Sequence, residues 1–492
     1  MSDVTIVSAP GKVLLTGGYL VLDPAYSGLV VATSSRFYSI VRTRSTTSAP
    51  SAATAHIVVR SPQFQDAVWE YAVGCNDPAH IDVQPVHSDG GRNKFVEIAL
   101  QRTLSLIGAM NGEMKPSQIF NGSRSLDIVI VGDNDFYSQR RALEALSLPA
   151  TMLSLDKIEP FASQNTPISE VHKTGLGSSA ALITSLVTAL LRHFQLSPEL
   201  DLIHNMAQYV HCFAQGKVGS GFDVCSAVKG SQVYKRFDEK VLRGLMDKTK
   251  VTGQEILETV TPSSLWTTRS IPIALPPNIR LVLADVDAGS DTPSLVGKVL
   301  KWRKENPEYA NKLWSDLNSV NQLVEQQLRS LSRLAEVRPE EYQSTMRTAS
   351  RRAGTAANTV GDETSRTLRK LSETLQAVRK LMKQMGEASG VPIEPDEQTR
   401  LLDACLKIPG VIGGGVPGAG GYDAIYLLIA EGDSSSQEQG EGCDTISQVE
   451  ILWQNWKELS VCPLTSRADA GGLEFIDNMD SVKGLRKVLD SI

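Results

Sequence analysis

Lys173-Thr-Gly-Leu-Gly-Ser-Ser-Ala-Ala-Leu182 brings together the residue types best suited to holding a phosphate. Two glycines and two serines stand directly before an apolar, proline-free run, Leu182 to Phe194, with helical spacing. A glycine-rich turn that opens a helix leaves several backbone N–H groups unpaired and aimed at one point, where the helix dipole also favours negative charge. Lys173, Thr174, Gly175, Leu176, Gly177, Ser178, Ser179 and Ala180 are therefore candidate contacts to a nucleotide. Ser178 and Ser179 can cap the helix and can also reach a phosphate oxygen or a bound Mg²⁺. Neither Gly-x-x-x-x-Gly-Lys-Ser/Thr nor Gly-x-Gly-x-x-Gly is present here, which excludes a Walker A loop and a dinucleotide fingerprint. Glycine followed by serine is also an ordinary helix start, so this segment alone leaves both readings open.

Other segments supply charged groups beside glycines. Lys12 follows Pro10-Gly11 at the end of a strand-like run, where a rigid turn and a missing side chain allow close approach to a ligand. The bland alternative is a solvated lysine. Asp223 lies in Gly219-Ser-Gly-Phe-Asp223, where glycines flanking Ser220 let the chain bend before the aspartate opens or caps a helix. Gly418, Ala419, Gly420 and Gly421 form a turn able to approach phosphates, although a plain turn between strands would look the same.

Three of these segments resemble, in order and rough spacing, the signature motifs of the GHMP kinases. They are Val4 to Leu22, with Pro10-Gly-Lys12, then Lys173 to Leu182, then Gly413-Gly-Gly-Val-Pro-Gly-Ala-Gly-Gly-Tyr-Asp423. Gln215-Gly-Lys-Val-Gly-Ser-Gly-Phe-Asp223, followed by Tyr234-Lys-Arg-Phe237, is similar to the fungal branch that acts on phosphomevalonate. The resemblance runs from Ser8 to about Trp456. It implies ATP-dependent conversion of (R)-5-phosphomevalonate to 5-diphosphomevalonate, a step of isoprenoid and sterol biosynthesis, with ATP and Mg²⁺ as cofactors. It implies Lys12 and Asp223 as the catalytic pair. Substrate contacts would come from Lys12, Lys217, Ser220, Ser290, Gly418, Ala419 and Gly420, and Lys173 and Lys298 are further cations beside motif loops. In Asp287 to Lys298, similar to a helix-opening segment near the substrate, Ser290, Thr292 and Ser294 could hydrogen-bond a phosphate, or Thr292-Pro293 could be a simple helix start.

One departure from the family pattern bears on the metal. Mevalonate kinases carry a glutamate ligand one helix before the catalytic aspartate, whereas Met206 to Gln215 holds no carboxylate. Mg²⁺ would then rest on nucleotide phosphates, water and Ser179. His211 in that helix is expected to pack structurally, as is Asp423 in its loop. Tyr19 also stands where other members carry a Glu-His pair. The missing glutamate argues against a mevalonate kinase. A related ATP-using decarboxylase matches the motifs less closely, and a silent ligand sensor would not retain Lys12 and Asp223.

The elements that must position these groups fit an α+β chain. Its 492 residues favour two domains, expected at 1–270 and 271–492, with the boundary in the proline-rich stretch Ile271–Pro277. Val4–Ser8 alternates like a strand, Leu20–Leu22 and Leu29–Thr33 continue that manner, and Leu126–Val131, Ile279–Val286 and Ala424–Ile429 read as strands. Helices are expected over Phe95–Ile107, Asp201–Gln215, Tyr309–Ala335 and Glu363–Gly386, with another opening near Gly221. Loops are expected at 44–56, 86–91 and 431–444. By resemblance, the first domain has a ribosomal-protein-S5-like fold and the second a ferredoxin-like fold with added helices, with the nucleotide between them.

A net charge of −6 provides no basic field for nucleic acid. The six cysteines, at 75, 212, 225, 405, 443 and 462, form no Cys-x-x-Cys pair, which argues against zinc and a disulfide framework. No stretch reaches membrane-spanning length, and neither end matches an address signal, so a cytoplasmic protein with small-molecule partners is expected. Oligomeric state is not encoded in any of these features.

Overall fold

A computed structural model of the chain describes residues 4–45, 55–77, 80–87, 92–112, 124–248, 250–286, 292–351, 362–432 and 444–492. Most of the three expected loops, and Ser290, lie outside the described residues.

Two sheets organise the molecule. β1 (Val4–Thr16) pairs antiparallel with the long β2 (Ser27–Ser45), placing Ile6 opposite Ile40 and Lys12 opposite Ala32. The register slips between Pro10 and Lys12, where a residue without an N–H and a residue without a side chain follow one another. β3 (Ala55–Arg60), β4 (Val68–Asp77), β5 (His80–Pro85) and β6 (Arg124–Gly132) extend the sheet in the order β1-β2-β6-β3-β4-β5. Among the described strands of this sheet only β3 and β6 run parallel; β7 (Gln232–Lys235) pairs with β2, and β8 (Arg269–Pro272) with β7.

The expected strand at Leu20–Leu22 is instead a turn of 3-10 helix. Gly17 at φ +93° and Tyr19 at φ +63° turn the chain, and Val21 N–H then donates to Gly17 O. Three apolar residues in a row satisfy a buried short helix as well as a buried strand.

One face of this sheet carries α1 (Lys94–Met110), α2 (Ser178–His193) and α3 (Leu200–Gln215), followed by α4 (Phe222–Lys229). α2 packs on β1 and β2 and buries Ile183, Leu186, Val187 and Leu190 completely. Each such side chain contributes roughly 1.5–3 kcal/mol, so the element bearing the glycine loop is anchored in the core.

The second sheet is β9 (Ile279–Val286), β10 (Val411–Gly415), β11 (Ala424–Ala430) and β12 (Val461–Leu464), antiparallel throughout, in the order β10-β11-β9-β12. That order and the helices between the strands are those of a ferredoxin-like unit. The added helices are α5 (Thr292–Glu305) and the long antiparallel partners α6 (Pro307–Val337) and α7 (Glu363–Ser389). Their apolar stripes, Leu313, Leu317, Val324 and Leu328 against Leu368, Leu371 and Leu375, share one core with the first sheet. α8 (Asp396–Cys405) and α9 (Thr445–Asn455) cover the other face through Leu401, Leu402 and Trp453.

The end of the chain returns to the first sheet. β13 (Ala468–Asp469) pairs with β2, β14 (Glu474–Phe475) pairs with β1, and α10 (Leu485–Asp490) packs Leu485 and Leu489 on Ile6, Ile40 and Val129. Residues on both sides of 270/271 therefore contribute to the larger sheet, with β8 spanning that division. Among the described residues no helix is long and apolar enough to cross a membrane.

Candidate active site

The slip in β1 turns Lys12 toward the glycine loop. Its N–H donates to Leu176 O at 2.8 Å, and its ammonium donates to Gly175 O at 2.8 Å. The ammonium also sits 5.5 Å from the centre of the Phe222 ring. Burial holds the Lys12 pKa below the ordinary lysine value, and the nearby Asp223 charge opposes that shift.

The loop is shaped by two left-handed glycines, Gly175 at φ +79° and Gly177 at φ +80°. A Cβ on Gly177 would stand 2.9 Å from Lys12 Cε, so this position must lack a side chain for the lysine stem to pass. Gly177 is the N-cap of α2, no side chain caps the helix, and Ala180 N donates to Gly177 O, which leaves the N–H groups of Ser178 and Ser179 for a ligand. Thr174 turns inward instead: its hydroxyl donates to Asp135 O, and the buried Asp135 carboxylate accepts from Ser35 Oγ and from both Thr465 N and Oγ1.

Asp223 occupies the first turn of α4 behind Gly221, whose φ is +82°. Its Oδ1 accepts from Val224 N, and its Oδ2 lies 3.9 Å from His211 Nε2. The same His211 nitrogen is 3.0 Å from Ser179 Oγ. The preceding loop is clamped by Arg236, which donates to Val218 O, Gly219 O and Leu22 O, and by Tyr234 OH, which donates to Ser220 O.

The third glycine segment closes the opposite wall. Gly418, Gly420 and Gly421 all have positive φ. Gly418 N donates to Leu14 O, Tyr19 OH donates to Ala419 O at 2.6 Å, and Tyr426 OH donates to Leu15 O. Beneath it, Gly421 N donates to Ile393 O, next to Glu394, which forms a buried two-pronged pair with Arg379. A cavity of about 190 Å³ lies between these walls, and its lining includes Lys12, Gly175, Ser220, Phe222, Gly418 and Asp423.

Lys12, Thr174, Gly175, Leu176, Ser220, Gly418, Ala419 and Gly420 thus line one cavity, whereas Ser178 and Asp223 lie outside its lining, as does Ser179, which with Asp223 approaches His211. The side chains of Lys173, Lys217 and Lys298 are exposed, although Val296 in the same helix as Lys298 lines the cavity. The open helix start fits an anionic nucleotide. For a divalent cation the oxygen donors at hand are Ser179 and Asp223, and among the described residues no group of three or more His, Cys, Asp or Glu is placed to hold a metal. Such a donor set suits Mg²⁺ carried largely by phosphates.

Sequence reasoning missed the reach of His211 and of Arg236. The spacing of Gln208, His211 and Gln215 on one helical face was the available signal for the first. Arg236 stood inside a quoted motif with no role attached.

Residues 145–231 match the family model of the GHMP kinases N-terminal domain, and residues 367–444 match that of the GHMP kinases C-terminal domain. The chain is 39% identical to phosphomevalonate kinase of Aspergillus fumigatus, over 92% of this chain and 91% of that protein. It is 37% identical to the peroxisomal phosphomevalonate kinase of Arabidopsis thaliana, over 95% of each. Among solved structures, Streptococcus pneumoniae phosphomevalonate kinase in complex with phosphomevalonate and AMPPNP aligns with a TM-score of 0.56, covering 94% of this chain and 99% of that one at 14% identity, a likeness of fold. With motifs, fold and near full-length identity in agreement, the chain belongs to the phosphomevalonate kinases of the GHMP kinase family.

Proposed function

We infer that the cleft transfers the γ-phosphoryl group of ATP to the phosphate of (R)-5-phosphomevalonate, forming 5-diphosphomevalonate and ADP. The observation that carries this reading is the convergence of Lys12, the glycine loop at Gly175 and the Gly418–Gly420 turn on one cavity, with the charge of Asp223 acting on Lys12 from behind Phe222 in its wall. A phosphate oxygen of the acceptor bonds to the γ-phosphorus as the bond to the bridging oxygen of ADP breaks. The acceptor is a phosphate monoester with a second pKa of about 6, so its attacking oxygen is already deprotonated at neutral pH. Asp223 therefore need not remove a proton. Its work is to hold the charge of Lys12 and the position of the acceptor, while Lys12 offsets the negative charges that meet.

Gly175, Gly177 and the first N–H groups of α2 would receive the ATP phosphates, with Lys173, Thr174, Leu176, Ser178 and Ala180 completing that loop. Ser179 would hold Mg²⁺, which when bound neutralises phosphate charge. Ser220, Gly418, Ala419 and Gly420 would line the acceptor, with Lys217 and Ser290 as its further contacts. Cys212, Cys225, Cys405 and Cys462 are free and buried, which supports a reducing, cytoplasmic setting. Phosphorus NMR of a reaction containing ATP, Mg²⁺ and phosphomevalonate tests the reading. The monoester signal is expected to give way to a coupled diphosphate pair; release of free phosphate with the monoester intact would refute it.

A further inference from the structure

Three elements meet at one buried ring nitrogen. His211 Nε2 lies 3.0 Å from Ser179 Oγ in the first turn of α2, 3.1 Å from Gln215 Nε2 in α3, and 3.9 Å from Asp223 Oδ2 in α4. The ring is almost wholly buried, with Phe95 of α1 against it at 6.4 Å between ring centres. A histidine kept only for packing would not need its polar edge turned to a serine hydroxyl and an amide at once. The serine is the residue whose hydroxyl would meet the nucleotide's cation, and the carboxylate is the one whose charge acts on Lys12. Both side chains rotate freely about χ1 unless something selects one well. His211 supplies that selection for the hydroxyl directly, and its ring stands against Asp223 Oδ2 while Oδ1 is held by Val224 N.

We propose that His211 is a positioning residue for phosphoryl transfer: its Nε2, held by the Gln215 amide, accepts from the Ser179 hydroxyl and so fixes that hydroxyl at the start of the phosphate-binding helix, beside the Asp223 carboxylate of α4. It touches neither substrate nor the reacting atoms. The assignment rests on the phosphoryl-transfer reading of the cleft and extends it to a residue whose only apparent job was packing. It also gives a role to a helix that carries no carboxylate of its own facing the site. The oxygen donors come from α2 and α4, and α3 holds the first of them through His211.

The test uses the full chain with His211→Leu, His211→Gln and Ser179→Ala, each followed by thermal melting, steady-state kinetics and titration with a fluorescent ATP analogue with and without Mg²⁺. Removing a group that orients a metal-site ligand costs about 10- to 100-fold. His211→Leu is expected to lower kcat by that factor, with the KM for phosphomevalonate held within about threefold. It is also expected to shrink the Mg²⁺-dependent gain in nucleotide affinity. His211→Gln, whose amide can reach Ser179, is expected to recover most of both. The double variant His211→Leu/Ser179→Ala is expected to be no worse than the worse single one, because both remove the same contact. If the leucine variant does not fold, His211→Asn, polar but too short to reach Ser179, takes its place with the same expectation. A kcat within about twofold of wild type, or effects of the two sites that multiply, overturns the proposal. If wild type shows no turnover of phosphomevalonate, the reaction assignment fails instead, and the Mg²⁺-dependent titration still reads the His211 effect.

Discussion

Gly177→Ala probes how closely the phosphate loop is fitted around Lys12. The new Cβ would stand 2.9 Å from Lys12 Cε and 3.2 Å from Cγ, so the lysine stem must retreat until ordinary contact is restored, a shift of about half an ångström. That retreat loosens the 2.8 Å bond from Lys12 Nζ to Gly175 O. Alanine in the left-handed region at φ +80° adds about 1–2 kcal/mol of backbone strain. A misplacement near 1 Å at a reacting centre costs on the order of 100-fold, so about a tenfold loss in kcat is expected here. Gly175→Ala is the control. Gly175 has nearly the same φ, +79°, but nothing lies within 4 Å of its would-be Cβ, so it carries the strain without pushing on Lys12, and any crowding of ATP at the cavity wall reads in KM rather than in kcat at saturation. Thermal melts and ADP release at saturating substrates separate the two effects. Both variants should lose similar stability, and the alanine at 177 should lose more kcat. Equal kcat in the two variants, or wild-type kcat in Gly177→Ala, would refute the claim that the loop sets the position of Lys12.

Further outcomes follow from the same geometry. Lys12→Met is expected to abolish turnover while Asp223→Asn retains most of it in neutral buffer; loss in Asp223→Asn that is restored at high pH would instead mark a general base. His204 is buried, and burial pushes its pKa down to about 4, below the unfolded value, so its contribution to stability is complete above pH 6.5 and lost as pH falls toward 4. Denaturant melts should therefore show roughly 2 kcal/mol less acid sensitivity between pH 7 and 4.5 in His204→Gln than in wild type. Glu394→Ala leaves Arg379 without its buried partner beneath the third glycine segment, and a stability loss of about 3–5 kcal/mol is expected by urea unfolding. Thr252→Ala removes the capping box that opens helix Gly253–Val260 and should cost about 1 kcal/mol by the same measurement.

Much of this architecture was legible from residue order. α2 carries a proline-free apolar run immediately after its glycines, and α6 and α7 carry leucine stripes, so local spacing and tertiary burial agree. The same holds for β9 and β11, whose apolar runs are buried on both faces. Leu20–Leu22 misled because a short apolar run led by the buried Leu20 and Val21 suits either conformation, and the deciding fact is the positive φ of Gly17 and Tyr19. The returning strands β13 and β14 have two residues each, too short for any periodicity to show. His211 read as packing because its partners sit on other elements, and only the folded chain brings Ser179 and Asp223 to its ring. Lys12 and Asp223 were accessible because glycines beside each one signalled close approach.

The most direct test of the central claim is ADP release by the purified chain with Mg²⁺ and ATP, supplied in parallel with phosphomevalonate, mevalonate or diphosphomevalonate. Turnover with phosphomevalonate alone is the predicted result, since on the proposed reading Lys12 offsets the charge of a phosphate acceptor and no alcohol has to be deprotonated. Turnover with mevalonate alone, or silence with all three despite ATP binding, would contradict it.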